Sequence, residues 1–113
     1  MAKSDPKEFL PLSQPMFHVL VSLADEERHG YAILKEVNER TGGQLRLSTG
    51  TLYGIINRLL ADGLAVDRTA RDGKRMYRLS PFGREVARAE LTRLEELTGM
   101  ARATRALRRS SSA

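Results

Sequence analysis

Residues 47–63 read LSTGTLYGIINRLLADG, and this stretch decides the fold. At about 100° per residue, Leu52, Ile55, Ile56 and Leu59 share one face, which predicts an amphipathic helix over Thr49–Asp62 that Gly63 stops. The opposite face carries Gly50, Tyr53, Gly54, Asn57 and Ala61, with Arg58 at its edge. Glycine inside a helix costs about 1 kcal/mol relative to alanine, so two on one face need a reason. Either another helix of the chain packs closely there, or a body outside the chain does.

The neighbours of these glycines suit the second explanation. The major groove of B-DNA admits an α-helix, asparagine pairs with adenine through two hydrogen bonds, and hydroxyls such as those of Tyr53 and Thr51 bond phosphates. Ser48, Thr49 and Thr51 gather at the helix start, where free N–H groups and the dipole attract a phosphate. They also serve as ordinary caps. Arg58 can lean to the backbone beside the groove.

The next segment, LAVDRTARDGKRMYRLS (residues 64–80), reads as a β-hairpin. Leu64 and Val66 alternate on one arm, Tyr77 and Leu79 on the other, and Asp72-Gly73 supplies the turn. Arg68, Arg71, Lys74, Arg75 and Arg78 stand against only Asp67 and Asp72. A charge run is commonly just a solvated face. A basic ribbon after a hydroxyl-rich helix start is what a wing beside DNA requires, because neutralised phosphates release counterions. Arg71, Lys74 and Arg75 flank the tip and are the candidate phosphate contacts.

Working outward, residues 1–12 form an arm in which Pro6 and Pro11 discourage regular structure. Ser13 caps a helix to about Asp25 whose apolar residues cover so much of its circumference that two sides must be buried, one against a partner chain. DEERHG (residues 25–30) reads as a polar turn, followed by a helix over Gly30–Thr41 with Ile33, Leu34 and Val37 inward. Gln44–Ser48 alternates enough for one short strand. Ser80-Pro81 opens a fourth helix striped by Ala87, Leu91, Leu94, Leu97 and Ala101. The fold class is mainly α with a small β-hairpin: a winged helix-turn-helix over 13–80, a dimerisation helix over 81–104, and a basic flexible tail over 105–113.

Composition narrows the function. The chain has 113 residues, no cysteine and two histidines, so no thiolate metal site and no recognisable catalytic set exist. An enzyme is not expected, nor a cofactor or a metal. No apolar run nears the roughly 20 residues that cross a bilayer, and the N-terminus lacks a signal peptide's apolar core, so we expect a cytoplasmic protein without membrane contact. The net charge of +5 is uneven: residues 45–79 hold seven Lys/Arg against three Asp/Glu, and residues 101–113 hold four against none. This distribution suits a polyanion partner such as nucleic acid, or a merely solvated basic surface. Phe9, Leu10, Met16, Phe17, Leu20, Leu91, Leu94, Leu97 and Met100 are assigned to a homodimer interface, or to an apolar pocket between subunits for a small aromatic effector.

HGYAILKEV (residues 29–37), STGTLYGIINRLLADGLA (48–65) and KRMYRLSPFGRE (74–85) together resemble the PadR family of bacterial transcriptional regulators, over roughly residues 13–100. The resemblance implies a dimeric repressor on a double-stranded DNA operator, its C-terminal helix crossing the first helix of a second subunit. It implies a recognition helix over Ser48–Asp62 with Tyr53 facing DNA, Tyr31 reaching phosphate, a wing over Arg68–Arg78, and release by a small phenolic or drug-like ligand. The single C-terminal helix places the chain with the short branch of that family. Some short relatives stack flat drugs on a tryptophan; this chain has none. The other reading is a winged-helix protein-interaction module without specific DNA readout.

Overall fold

Serines open three of the helices. Ser13, Ser48 and Ser80 stand in extended conformation and accept the backbone N–H of Met16, Thr51 and Gly83, satisfying donors that a first turn leaves unpaired. The computed structural model describes residues 5–110, so residues 1–4 of the arm and 111–113 of the tail lie outside the described residues. From the three serines run α1 (Gln14–Asp25), α3 (Thr49–Ala61) and α4 (Pro81–Ala103). α2 (Gly30–Arg40) is capped by His29, whose Nδ1 accepts from the Ala32 N–H at 3.3 Å.

The sheet holds β1 (Arg28–His29), β2 (Ala65–Thr69) and β3 (Arg75–Leu79), antiparallel in the order β1-β3-β2. β1 lies inside the expected polar turn, and the strand expected at Gln44–Ser48 does not form. After α2 the chain takes positive φ at Gly42 and Gly43, and the Thr41 hydroxyl holds the Leu45 N–H at 3.1 Å. The β3 edge such a strand would need is taken by Arg28–His29, anchored by Arg28 Nε donating to the Ser22 carbonyl at 2.6 Å. In the hairpin, Ala65 faces Leu79 and Asp67 faces Tyr77. Partners across a ladder share a face, so Ala65 rather than Val66 joins Tyr77 and Leu79 inside. The turn closes with the Gly73 N–H on the Ala70 carbonyl at 2.9 Å and Gly73 at φ 86°, a three-residue loop that needs glycine there.

Val19, Leu20 and Leu23 of α1, Ile33 and Val37 of α2, and Leu52, Ile56 and Leu59 of α3 meet Leu64, Ala65, Tyr77, Leu79 and Val86 in one core. Leu20, assigned above to the subunit interface, is fully buried in this core and presents nothing to a partner. Met16, Phe17 and Val21 on the neighbouring side of α1 stay half-buried.

Two terminal segments are more ordered than expected. Pro6–Phe9 forms a 3-10 turn with Pro6 in its first turn, where a missing N–H costs nothing. Phe9 then meets Phe82 edge-on at 5.6 Å, and the Leu12 N–H donates to the Glu90 carboxylate at 3.0 Å. At the other end, Thr104 breaks α4 in extended conformation and α5 (Arg105–Ser110) follows, where a frayed tail was expected.

α4 carries two stripes. Gly83, Val86 and Glu90 face its own domain, whereas Leu91, Leu97 and Met100 are exposed. Glu90 is 2% exposed yet charged. Arg93 Nε at 2.5 Å, Arg93 Nη2 at 3.1 Å and the Leu12 N–H satisfy it. Arg93 holds the Glu90 carboxyl below the ordinary glutamate range, against the opposing push of burial, with Leu12 helping. A carboxyl with a lowered folded pKa stabilises fully above the unfolded value, about 4.3, and loses that contribution as pH falls through the folded value. Glu90→Gln is therefore expected to cost about 2 kcal/mol at pH 7 and progressively less as pH falls below the unfolded value, read as melting temperatures across an acid series.

Candidate nucleic-acid interface

α3 sets the site. Its inward residues Leu52, Ile56 and Leu59 are buried, which turns Gly50, Tyr53, Gly54, Asn57 and Ala61 outward, all exposed. A Cβ added at Gly50 or Gly54 meets no described atom within 4 Å. Packing within the subunit therefore does not explain these two glycines. Ser48, Thr49 and Thr51 are exposed at the helix start, with the Ser48 hydroxyl donating to Thr51 Oγ1 at 2.9 Å. Arg58 is exposed but pairs with Asp62 at 3.0 Å, a surface pair one turn apart that contributes little.

Tyr53 stands differently from the simple outward residue expected. It is 40% exposed, and its ring lies across the start of α2. A Cβ at Gly30 would sit 2.3 Å from the Tyr53 hydroxyl, so Gly30 is the seat that lets the ring lie there. Tyr77 is buried near it, and burial first, then Tyr53, push the Tyr77 phenol above its ordinary pKa. Tyr31, 70% exposed, stacks on His29 at 6.5 Å from the next position of α2. All three tyrosines of the chain thus surround the junction of α2, α3 and the sheet. Gly30→Ala tests this seat. The clash falls on the tip of a movable side chain, so stability should change by less than about 1 kcal/mol. Tyr53 ring resonances should shift in NMR spectra, and affinity for duplex DNA should fall about tenfold, about 1.4 kcal/mol.

The wing's cations are not equivalent. Arg68 makes a two-pronged contact with Glu27 at 2.6 and 2.8 Å, tying β2 to the turn after α1. Hydrogen bonding from Arg68 holds the Glu27 carboxyl below its ordinary range. Arg75, expected to reach phosphate, pairs with Asp67 across the ribbon at 3.0 Å. Register explains it, because Thr69↔Arg75 and Asp67↔Tyr77 put Asp67 two residues along the partner strand on the same face. Arg71 and Lys74 at the tip are exposed and enter no ion pair among the described residues.

Sequence reasoning missed Glu27, Glu90 and β1. Glu90 had a legible signal, since it continues the Gly83–Val86 stripe and precedes Arg93 by three residues. Glu27 had none, because Arg68 lies 41 residues away. Among the described residues no group of three His, Cys, Asp or Glu could hold a metal, and no helix is long and apolar enough to cross a membrane.

A helix-turn-helix followed by a basic two-stranded ribbon is a winged-helix domain. Residues 19–89 match the Transcriptional regulator PadR-like family, and the chain belongs to that family, one of regulators rather than enzymes. Transcriptional regulator Rv3488 of Mycobacterium tuberculosis is 42% identical over 83 residues, 71% of this chain and 75% of that protein. Bacillus subtilis PadR, solved in complex with operator DNA, is 25% identical with a TM-score of 0.64, matching 72% of this chain and 48% of that one. A PadR family regulator of Clostridium difficile R20291 has the same fold, with a TM-score of 0.69 at 19% identity over 78% of this chain and 94% of that one.

Proposed function

We propose that this chain is a dimeric, sequence-specific DNA-binding repressor. α3 enters the major groove and the tip of the β2–β3 wing contacts the backbone or minor groove. The observation that carries the reading is the outward face of α3, where two glycines leave open space beside Tyr53 and Asn57. Small residues there let the backbone approach base edges closely. The operator complex of the Bacillus subtilis relative supports it. Tyr31, Ser48, Thr49 and Thr51 serve as positioning contacts to phosphate. An interaction module without DNA readout would have no use for the unpaired cations at the wing tip.

Along α4, Leu91, Leu97 and Met100 are exposed and Leu94 is half-buried, and Met16 and Phe17 of α1 are half-buried. We assign this surface, continued by Phe9 and Leu10 of the arm, to a second copy of the chain. A small aromatic effector would act by entering between the subunits there. The test of the reading is Asn57→Ala, assayed on a selected operator and on mixed-sequence duplex. Loss of one bidentate base contact should cost about 1–3 kcal/mol on the operator and leave mixed-sequence binding nearly unchanged. Equal losses would make Asn57 a positioning contact and remove it from sequence readout.

A further inference from the structure

One strongly basic groove lies outside both α3 and the wing. Tyr31, Leu34, Lys35 and Asn38 of α2 face Arg46 and Leu47 of the following loop across a groove of about 270 Å³. Lys35 and Arg46 are exposed. Six arginines elsewhere, Arg28, Arg40, Arg58, Arg68, Arg75 and Arg93, each lie within 4 Å of a carboxylate. Lys35 and Arg46 enter no such pair among the described residues, and no carboxylate lines the groove. Three donors line it, an ammonium, a guanidinium and the Tyr31 hydroxyl, beside the Asn38 amide, whose buried Oδ1 accepts no hydrogen bond among the described residues. Its apolar lining, Leu34 and Leu47, cannot compete for an anion and weakens screening near it. Leu47 leads directly into the Ser48 cap of α3, so whatever fills the groove lies beside whatever α3 touches.

We propose that Lys35 and Arg46, with Tyr31 lining the same groove, form a second backbone clamp that holds DNA phosphates flanking the α3 contact, independently of the wing. This rests on the DNA-binding reading above. The clamp adds affinity without sequence preference, because phosphates are the same in every sequence. A free anion in the groove would have no reason to sit beside α3, whereas a duplex held by α3 would carry its backbone past the Leu47–Ser48 junction that the two share.

The experiment compares the parent chain with Lys35→Ala/Arg46→Ala and with the charge-preserving Lys35→Arg/Arg46→Lys, on a selected operator and on a mixed-sequence duplex over a salt series. Each phosphate contact contributes about 0.9 to the slope of log affinity against log salt. The alanine pair should therefore flatten the slope by about 1.8 and weaken operator and mixed-sequence duplexes equally. The charge-preserving pair should keep the parent slope. Unchanged melting temperatures show that both variants fold, since each side chain is exposed. A parent-like slope in the folded alanine pair overturns the clamp while leaving DNA binding intact. A parent chain that binds no duplex at any salt overturns the reading beneath it as well.

Discussion

Reversing Arg71 and Lys74 to glutamate should lower duplex affinity by at least about two orders of magnitude at 0.1 M salt, while the melting temperature stays put. Each lost phosphate contact removes about 0.9 from the salt slope and about tenfold in affinity at that concentration, and the added negative charges repel the backbone. The choice of residues comes from the structure. Arg68 and Arg75 carry the same charge, but each already faces a carboxylate, Glu27 and Asp67, which offsets part of its pull on phosphate. Arg75→Ala should accordingly cost less DNA affinity than Lys74→Ala. Filter binding or fluorescence anisotropy across a salt series separates the two. Parent-like affinity and slope in the double reversal would mean that the wing does not touch DNA.

Gly83→Ala should be the most destabilising single methyl in the chain, and Gly54→Ala should stabilise it. At Gly83 the added Cβ would lie 1.8 Å from the Leu64 carbonyl oxygen and 2.7 Å from its carbon. That carbonyl is backbone, it already accepts the Ser80 N–H at 3.0 Å, and the Ser80 hydroxyl donates to Gly63 at 2.6 Å beside it. Neither side can rotate away, so the start of α4 must lift off the core around Val86. A loss of about 3 kcal/mol follows, at the upper end for overpacking, or a fall of roughly 15 °C in melting temperature. At Gly54 nothing described lies within 4 Å, and alanine gains about 1 kcal/mol of helix propensity. The same methyl stands on the face proposed to meet DNA, so Gly54→Ala should bind operator more weakly than the parent. Thermal melts followed by circular dichroism give both signs. A Gly83→Ala melt within about 2 °C of the parent would deny the contact.

The two substitutions show why glycines read alike in sequence and act differently in the fold. Gly50 and Gly54 were legible as an outward face because helical periodicity put them opposite Leu52, Ile56 and Leu59. Gly30 and Gly83 were not, because what they accommodate comes from elsewhere in the chain: the Tyr53 hydroxyl and the Leu64 carbonyl.

Local patterns carried the rest of what could be read. The serine caps, the apolar stripes of α1, α2 and α3, and Asp72-Gly73 in the turn each act within a few residues. Motifs spanning the chain tied those elements to the PadR family. Tertiary structure decided what depends on distant partners. It chose Arg28–His29 over Gln44–Ser48 as the third strand, because one β3 edge admits one partner. It sent Leu20 inward and left Leu91 and Leu97 outward, because α4 meets its own domain along Gly83, Val86 and Glu90. Among the wing's cations it set Arg68 and Arg75 against carboxylates and left Arg71 and Lys74 without an ion pair at the tip. Sequence fixes the charge a residue carries; whether that charge is available to DNA depends on which carboxylate the fold brings within about 3 Å of it.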